Sequence, residues 1–178
     1  MHGIVFAELQ KYVNVNFGAA TWFALLKSSG LEGKMYLPTR PYPDEDIFAI
    51  VGSACKATGK TADEILESFG SFIAPDLMKI FGGSMDPKWK TLDFLENMES
   101  VIHKAVRINN PEATPPVLNV KRKSQNSVEI VYSSKRKMAS LGLGLIKAVC
   151  KHYGEEGVIK VTTKTTPDGE STIFNIYK

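Results

Sequence analysis

The stretch VYSSKRKM, Val131–Met138, places Tyr132, Ser134 and Arg136 at alternate positions. In a strand, alternate side chains share one face, and each step along that face covers about 6.5–7 Å. A phenol, a hydroxyl and a guanidinium would then stand in a row, and all three can donate hydrogen bonds. Because a planar guanidinium matches a carboxylate, the row predicts a site for an anion with several oxygens, such as a ligand with two neighbouring carboxylates. An ordinary strand end with a basic residue is the alternative.

Upstream of this stretch the sequence has a helical period. Apolar residues recur at helical spacing, and Thr61 with Glu64 forms the signature of a capping box. Glycines and prolines end most of these runs. The predicted helices cover 4–17, 20–29, a segment from 44 to the TGK at 58–60, a segment starting at 61, and 91–109. The Pro-rich segment 111–116 then separates this part from the rest of the chain.

After Pro116 the period changes from helical to alternating, which predicts strands. The predicted strands cover 117–123, 127–134, 157–166 and 170–177, and a helix over 137–153 lies between the second and the third. The fold class is therefore α+β, with a helical part over about 1–110 and a helix-and-sheet part over about 111–178. The 178 residues are expected to form a single domain with a four-stranded antiparallel sheet.

Composition excludes several classes of protein. The formal net charge of +3 is too small to indicate nucleic acid, and the two basic runs, 121–123 and 135–137, are typical of a solvated surface. Cys55 and Cys150 lie far apart in apolar surroundings, which favours free thiols in a reducing compartment. No leader peptide or membrane-spanning run is recognisable, so the chain is expected to be soluble and cytoplasmic, without a membrane partner.

His103 is the histidine that could carry chemistry. It lies in the predicted helix 91–109, off the apolar stripe and near Glu96, Glu99 and Arg107. That position suits either a surface histidine or an iron ligand that faces a bound cofactor.

Evidence for an enzyme is lacking in the remaining sequence. Glu8, Glu67 and Glu99 are scattered, and we interpret them as solvated helix residues. The chain contains neither a nucleotide-binding loop nor a recognisable catalytic triad.

A histidine in a helix followed by Y-x-S-x-R resembles the H-NOX family, the haem–nitric oxide/oxygen binding domains that also form the sensor of animal soluble guanylate cyclases. The segments MHGIVFAEL at the N-terminus, ATPP before the first strand and LGLI in the following helix also match, and the resemblance covers essentially the whole chain. It implies a haem b, iron protoporphyrin IX, between the helical part and the sheet part. His103 would bind the iron, and Tyr132, Ser134 and Arg136 would hold the two haem propionates.

The resemblance also assigns residues that shape and move the haem pocket. Pro116 matches a proline that presses on the porphyrin and distorts it. Gly70 and Gly144 match glycines about which the helical part pivots in relatives.

Ligand choice depends on the distal side of the haem, where oxygen-binding members carry a tyrosine. The matching position here is Leu141, and the neighbouring positions, Leu9 and Ile73, also lack hydrogen-bond donors. Val5 and Leu145 are expected in the same pocket. A hydrogen bond to a charged acceptor is worth about 1.5–3 kcal/mol, or about 10–100-fold in affinity. Oxygen binding should therefore fail, while nitric oxide and carbon monoxide still bind.

Two haem functions follow from the resemblance. The first is a nitric oxide sensor, not an enzyme, that signals in trans to a histidine kinase or a cyclic-di-GMP enzyme, that is, a diguanylate cyclase or phosphodiesterase. The alternative is a haem-dependent nitric oxide scavenger or a peroxidase-like enzyme, which would need a distal acid or base. A third possibility is a module that binds another dicarboxylate, which the absence of a Soret band would indicate.

Overall fold

The computed structural model describes residues 1–109 and 113–178, with only the backbone at positions 81, 84 and 109. The predicted seam at 111–116 therefore lies partly outside the described residues. The first four helices are α1 Gly3–Phe17, α2 Ala19–Ser28, α3 Asp44–Thr58 and α4 Ala62–Phe81, and a 3₁₀ turn covers Gly82–Ser84. The predicted capping box is confirmed: Glu64 N–H donates to Thr61 Oγ1 (3.2 Å), and Thr61 N–H donates to Glu64 Oε2 (2.8 Å).

The predicted helix 91–109 is present, but it is not uniform. It consists of α5 Thr91–Met98, a π-helical turn Glu99–His103 and α6 Lys104–Asn109. The backbone N–H of Lys104 reaches the carbonyl of Glu99, five residues earlier, as a π-turn requires. The widened turn therefore contains the one histidine that the sequence marks as a ligand.

The second part of the chain is a sheet with one inserted helix. Its elements are β1 Val117–Ser124, β2 Ser127–Ser133, α7 Ala139–His152, β3 Lys160–Thr165 and β4 Ser171–Tyr177. The strands are ordered β1-β2-β4-β3 and every neighbouring pair is antiparallel. The predicted α+β class is confirmed. No helix in the described residues is long and apolar enough to cross a membrane.

Three predicted boundaries were wrong, each because a turn replaces regular structure. β2 ends at Ser133, and α7 begins at Ala139 instead of 137, because Lys137 has φ of +50° and belongs to the turn between them. β3 begins at Lys160 instead of 157, because the N–H groups of Val158 and Ile159 both donate back to the Glu155 carbonyl.

Two separate hydrophobic clusters form the core. One lies among α1–α4 and includes the fully buried Phe6, Ile47 and Phe69. The other lies between the sheet, α5 and α7, and includes Leu95 and Phe174. The helical half (α1–α4) and the sheet half (α5 to β4) thus each have a cluster of their own. The two halves meet across α4 and α7, where Met78 of α4 joins the sheet cluster and Leu141 and Leu145 of α7 pack on the helical one.

At this meeting the backbones of α4 and α7 touch. A Cβ atom at Gly70 would lie 2.2 Å from the carbonyl oxygen of Leu141, and one at Gly144 would lie 2.0 Å from that of Glu67. Ser71 Oγ also donates to the Gly144 carbonyl (3.1 Å). The structure therefore gives both glycines a packing role, while the pivot role that the resemblance implies stays a prediction.

Replacing either glycine by alanine should destabilise the protein. Gly70→Ala and Gly144→Ala force backbone against backbone, and such overpacking costs about 1–3 kcal/mol. The control is Gly52→Ala in α3, where a Cβ meets nothing within 4 Å, so the change should stabilise the helix by about 0.5–1 kcal/mol. Urea unfolding measures the free energy of unfolding of all three variants. Equal effects at the three positions would contradict the close crossing.

Candidate functional site

A cavity of about 610 Å³ lies between the two halves. Its walls come from the first turn of α1, from α4, from the run α5–α6, from the sheet and from α7. The volume falls in the range of about 300–1,000 Å³ that is typical of cofactor and small-molecule sites. Most lining side chains are apolar, so the cavity suits a largely apolar ligand.

The structure brings the predicted site residues together around this cavity, with one exception. Those that line it are Val5, Ile73, His103, Pro116, Tyr132, Ser134, Arg136, Leu141 and Leu145. Leu9 does not line it. This side chain is 2% exposed and packs in the helical core, beside Tyr12 and Val13. Only the first turn of α1 reaches the cavity, and Leu9 lies about 6 Å further along the helix than Val5.

Tyr132, Ser134 and Arg136 do not lie on one strand face, as the sequence pattern predicts. Tyr132 is in β2, but Ser134 and Arg136 follow in the turn that Lys137 N–H closes by donating to the Ser134 carbonyl (3.0 Å). The three side chains still line the same cavity. Burial raises the pKa of the Tyr132 phenol, which therefore remains a hydrogen-bond donor at neutral pH.

The guanidinium of Arg136 is held in place by the residues beside it. Its Nε–H donates to Asp44 Oδ1 (2.8 Å), and its two terminal nitrogens donate to the Thr114 carbonyl (2.6 Å) and to Thr114 Oγ1 (2.8 Å). The amine of Met1 also donates to Asp44 Oδ1 (2.6 Å). Burial alone would raise the pKa of Asp44, but these two cationic partners outweigh burial and lower the pKa. A guanidinium carries more N–H groups than these contacts use, so Arg136 can also bind an anion.

His103 lies at the cavity wall with one ring nitrogen already engaged. Its Nδ1 is 2.8 Å from Glu99 Oε2, and the side chain is only 16% exposed. Nε2 therefore remains for a ligand in the cavity. Burial lowers the pKa of His103 by more than the bond to Glu99 raises it. The ring is thus neutral at pH 7, which is the form that binds a metal.

Glu99 is the residue beside His103 whose contacts sequence reasoning missed. Its Oε1 accepts from Arg107 (2.8 Å), and its Oε2 accepts from the backbone N–H of Leu118 (3.2 Å) as well as from His103. Burial raises the pKa of Glu99, but the bonds from Arg107 and His103 outweigh it and hold the pKa below its usual range. The interpretation as a solvated residue is therefore wrong. The spacing of four residues between Glu99 and His103 was the available signal.

Glu8 and Glu67, which we also interpreted as solvated helix residues, do not line the cavity. Glu67 pairs with Lys147 across the contact of α4 and α7. Glu8 is largely buried, and its Oε2 has no hydrogen-bond partner among the described residues.

The set of donors fits a flat apolar cofactor that brings its own metal and carboxylates. His103 lines a mostly apolar cavity with one ring nitrogen that Glu99 does not engage, and a phenol, a hydroxyl and a guanidinium line the same cavity. Within the described ranges, no group of three or more His, Cys, Asp or Glu side chains could hold a metal ion. A metal that is already ligated by its cofactor needs only one such side chain, and haem has this property.

Comparisons with known proteins agree with this description. The Haem-NO-binding family model matches residues 2–161. A mutant H-NOX protein of K. algicida, in its Fe(II) unliganded state, is 25% identical, with a TM-score of 0.90 over 100% of this chain and 96% of that chain. A mutant of the T. tengcongensis H-NOX is 27% identical, with a TM-score of 0.85 over 99% of this chain and 97% of that chain.

Curated relatives extend the similarity to much longer proteins. The soluble guanylate cyclases gcy-32 and gcy-34 of Caenorhabditis elegans are 31% and 30% identical over 106 residues, which is 57% of this chain and 15% of theirs. The chain therefore spans only a small part of these relatives. With the family model matched over nearly its whole length, and with H-NOX structures that superimpose on all of it, the chain belongs to the H-NOX family of haem-binding gas-sensor domains.

Proposed function

We propose that this protein is a nitric oxide sensor that holds haem b in the cavity between its halves and does not hold oxygen. The observation that carries the proposal is the composition of the walls contributed by α1, α4 and α7. Their side chains near the cavity include Val5, Ile73, Leu141 and Leu145, none of which can donate a hydrogen bond.

The haem supplies a ferrous iron that binds diatomic gases, and the protein holds the haem and selects the gas. Nε2 of His103 would bind the iron, while Tyr132, Ser134 and Arg136 would donate to the propionates and Pro116 would contact the macrocycle. A fixed guanidinium beside two hydroxyl donors is suited to carboxylates, because charge-assisted hydrogen bonds are the strong ones.

Selection against oxygen follows because the described side chains that α1, α4 and α7 contribute to the cavity include no hydrogen-bond donor. Bound oxygen carries partial negative charge and needs a hydrogen bond, whereas bound nitric oxide is much less polarised. The other polar side chains that line the cavity include His2, Thr39 and Thr114. His2 pairs with Pro41 beside the contact of Met1 with Asp44, and Thr114 contacts Arg136. His2 and Thr114 therefore lie at the end of the cavity where Arg136 would hold the propionates, away from the proposed gas-binding side.

The same walls argue against a scavenger or peroxidase-like enzyme, which would need an acid or base near the gas. We therefore place the protein among sensors, with a separate histidine kinase or cyclic-di-GMP enzyme as partner. In this proposal residues 1–178 act as one domain, and the helical half shifts against the sheet half about Gly70 and Gly144. A ligand can shift such an equilibrium only by its differential affinity for the two arrangements.

His103→Gly should remove the bond between protein and iron, because glycine supplies no ligand. Ferrous protein should lose its native absorption spectrum, and imidazole added from solution should restore a five-coordinate spectrum. An unchanged ferrous spectrum without added imidazole would show that His103 does not bind the iron.

Arg136→Ala should weaken haem retention, because a propionate loses its cationic partner while Tyr132 and Ser134 still donate. The loss of about 1.5–3 kcal/mol corresponds to roughly 10–100-fold faster haem transfer to an apo-globin. Lys135→Ala is the control, since this neighbouring lysine is exposed and carries the same charge. Equal transfer rates in the two variants would exclude a role for Arg136 in holding the propionates.

Leu141→Tyr should allow some oxygen to bind, because it places a phenol in the wall near the gas. Leu141→Phe is the matched control, with a similar ring but no donor. Absorption spectra of the ferrous proteins in air distinguish them: only the tyrosine variant should form an oxy complex. A stable oxy complex in the unaltered protein would overturn the proposed selectivity.

A further inference from the structure

We propose that Glu99 and Arg107 together set how strongly His103 binds the iron, and so how readily His103 dissociates when nitric oxide binds. The inference rests on the proposed haem site, and it assigns to these two residues a positioning role that acts through His103. Glu99 strengthens the ligand, and Arg107 limits that effect.

A hydrogen bond joins Glu99 to His103. With Oε2 2.8 Å from Nδ1, the carboxylate accepts the proton that a neutral ring carries there. Such an acceptor fixes the tautomer and raises the basicity of the opposite nitrogen. Nε2 therefore becomes a stronger donor to iron than it would be beside a neutral acceptor or water.

Arg107 limits the negative charge that Glu99 exerts on His103. Arg107 Nη1 donates to the other carboxylate oxygen, Oε1 (2.8 Å), and Nη2 donates to the carbonyl of Pro116 (3.3 Å). A guanidinium at this distance withdraws part of the negative charge from the carboxylate. Arg107 and Glu99 should thus act on His103 with opposite sign.

Glu99, and through it His103 and Arg107, is anchored to the sheet half. Leu118 in β1 gives its backbone N–H to Glu99 Oε2 (3.2 Å), and Pro116 immediately precedes that strand. The π-helical turn begins with Glu99 and ends with His103. Any movement of His103 away from the cavity therefore strains contacts that also hold Pro116.

Three variants test the proposal in the haem-loaded protein. Glu99→Gln keeps an acceptor oxygen but removes the charge, and Arg107→Gln removes the opposing cation. The control is Glu96→Gln on the same helix, where the carboxylate is 42% exposed and contacts Arg122 instead of His103. The measurements are the iron–histidine stretching frequency, the ferric/ferrous reduction potential, and the ratio of five- to six-coordinate nitrosyl complex.

Opposite shifts are expected. Glu99→Gln should lower the stretching frequency, raise the reduction potential, and raise the ratio of five- to six-coordinate complex by about tenfold, the weight of one charged hydrogen bond. Arg107→Gln should move all three quantities the other way, and Glu96→Gln should leave them unchanged.

A purely structural role for the pair would produce shifts of the same sign in both variants, or none, and either result overturns the proposal. If Glu99→Gln loses its haem, Arg107→Gln decides alone: a higher frequency and a lower potential support the proposal, and unchanged values overturn it. The unaltered protein separates this test from the proposed function. If it shows no iron–histidine stretch, or binds oxygen stably, the proposed function fails instead.

Discussion

The close contact of α4 with α7 is the constraint on which the rest of the molecule depends. Each half has its own hydrophobic cluster, and the two clusters approach each other where Met138 joins the helical cluster and Met78 joins the sheet cluster. Because the backbones touch at Gly70 and Gly144, the two halves approach each other most closely along one line, and side-chain contacts such as Arg136 with Asp44 join them elsewhere. The space left beside that line is the cavity. The packing that joins the halves therefore also creates the site between them.

The polar groups of the cavity are few, and the guanidinium and the imidazole among them are each held by a second residue. Arg136 is tied to Asp44 and Thr114, and His103 is tied to Glu99. Side chains that are supported in this way keep their geometry when a ligand arrives. Most of the remaining lining side chains are apolar, so electrostatic interactions inside are weakly screened. Arg136 and His103, together with the few neighbouring hydroxyl groups, consequently dominate what the cavity can bind.

The sequence predicts the fold class from local patterns, and nine of the ten haem-site residues that the family resemblance assigns line the cavity. Helical spacing and the capping box at Thr61 depend only on neighbours in the chain, and the family motif identifies His103 and Arg136. Leu9 was misplaced because its position depends on how far α1 extends past the cavity. Glu99 was missed because its other partners, Arg107 and the backbone of Leu118, converge only after β1 packs against the π-helical turn.

The contacts of Arg136 also affect how the cofactor is taken up. An arginine that is free in solution samples many rotamers, and ordering such a side chain on binding costs about 0.5–1.5 kcal/mol. Here Asp44 and Thr114 restrict the guanidinium through three hydrogen bonds within the protein itself. Much of that entropy is lost during folding of the protein, so less of it opposes cofactor uptake. The Arg136 guanidinium is therefore preorganised, and its affinity for a carboxylate is correspondingly higher than that of a mobile arginine.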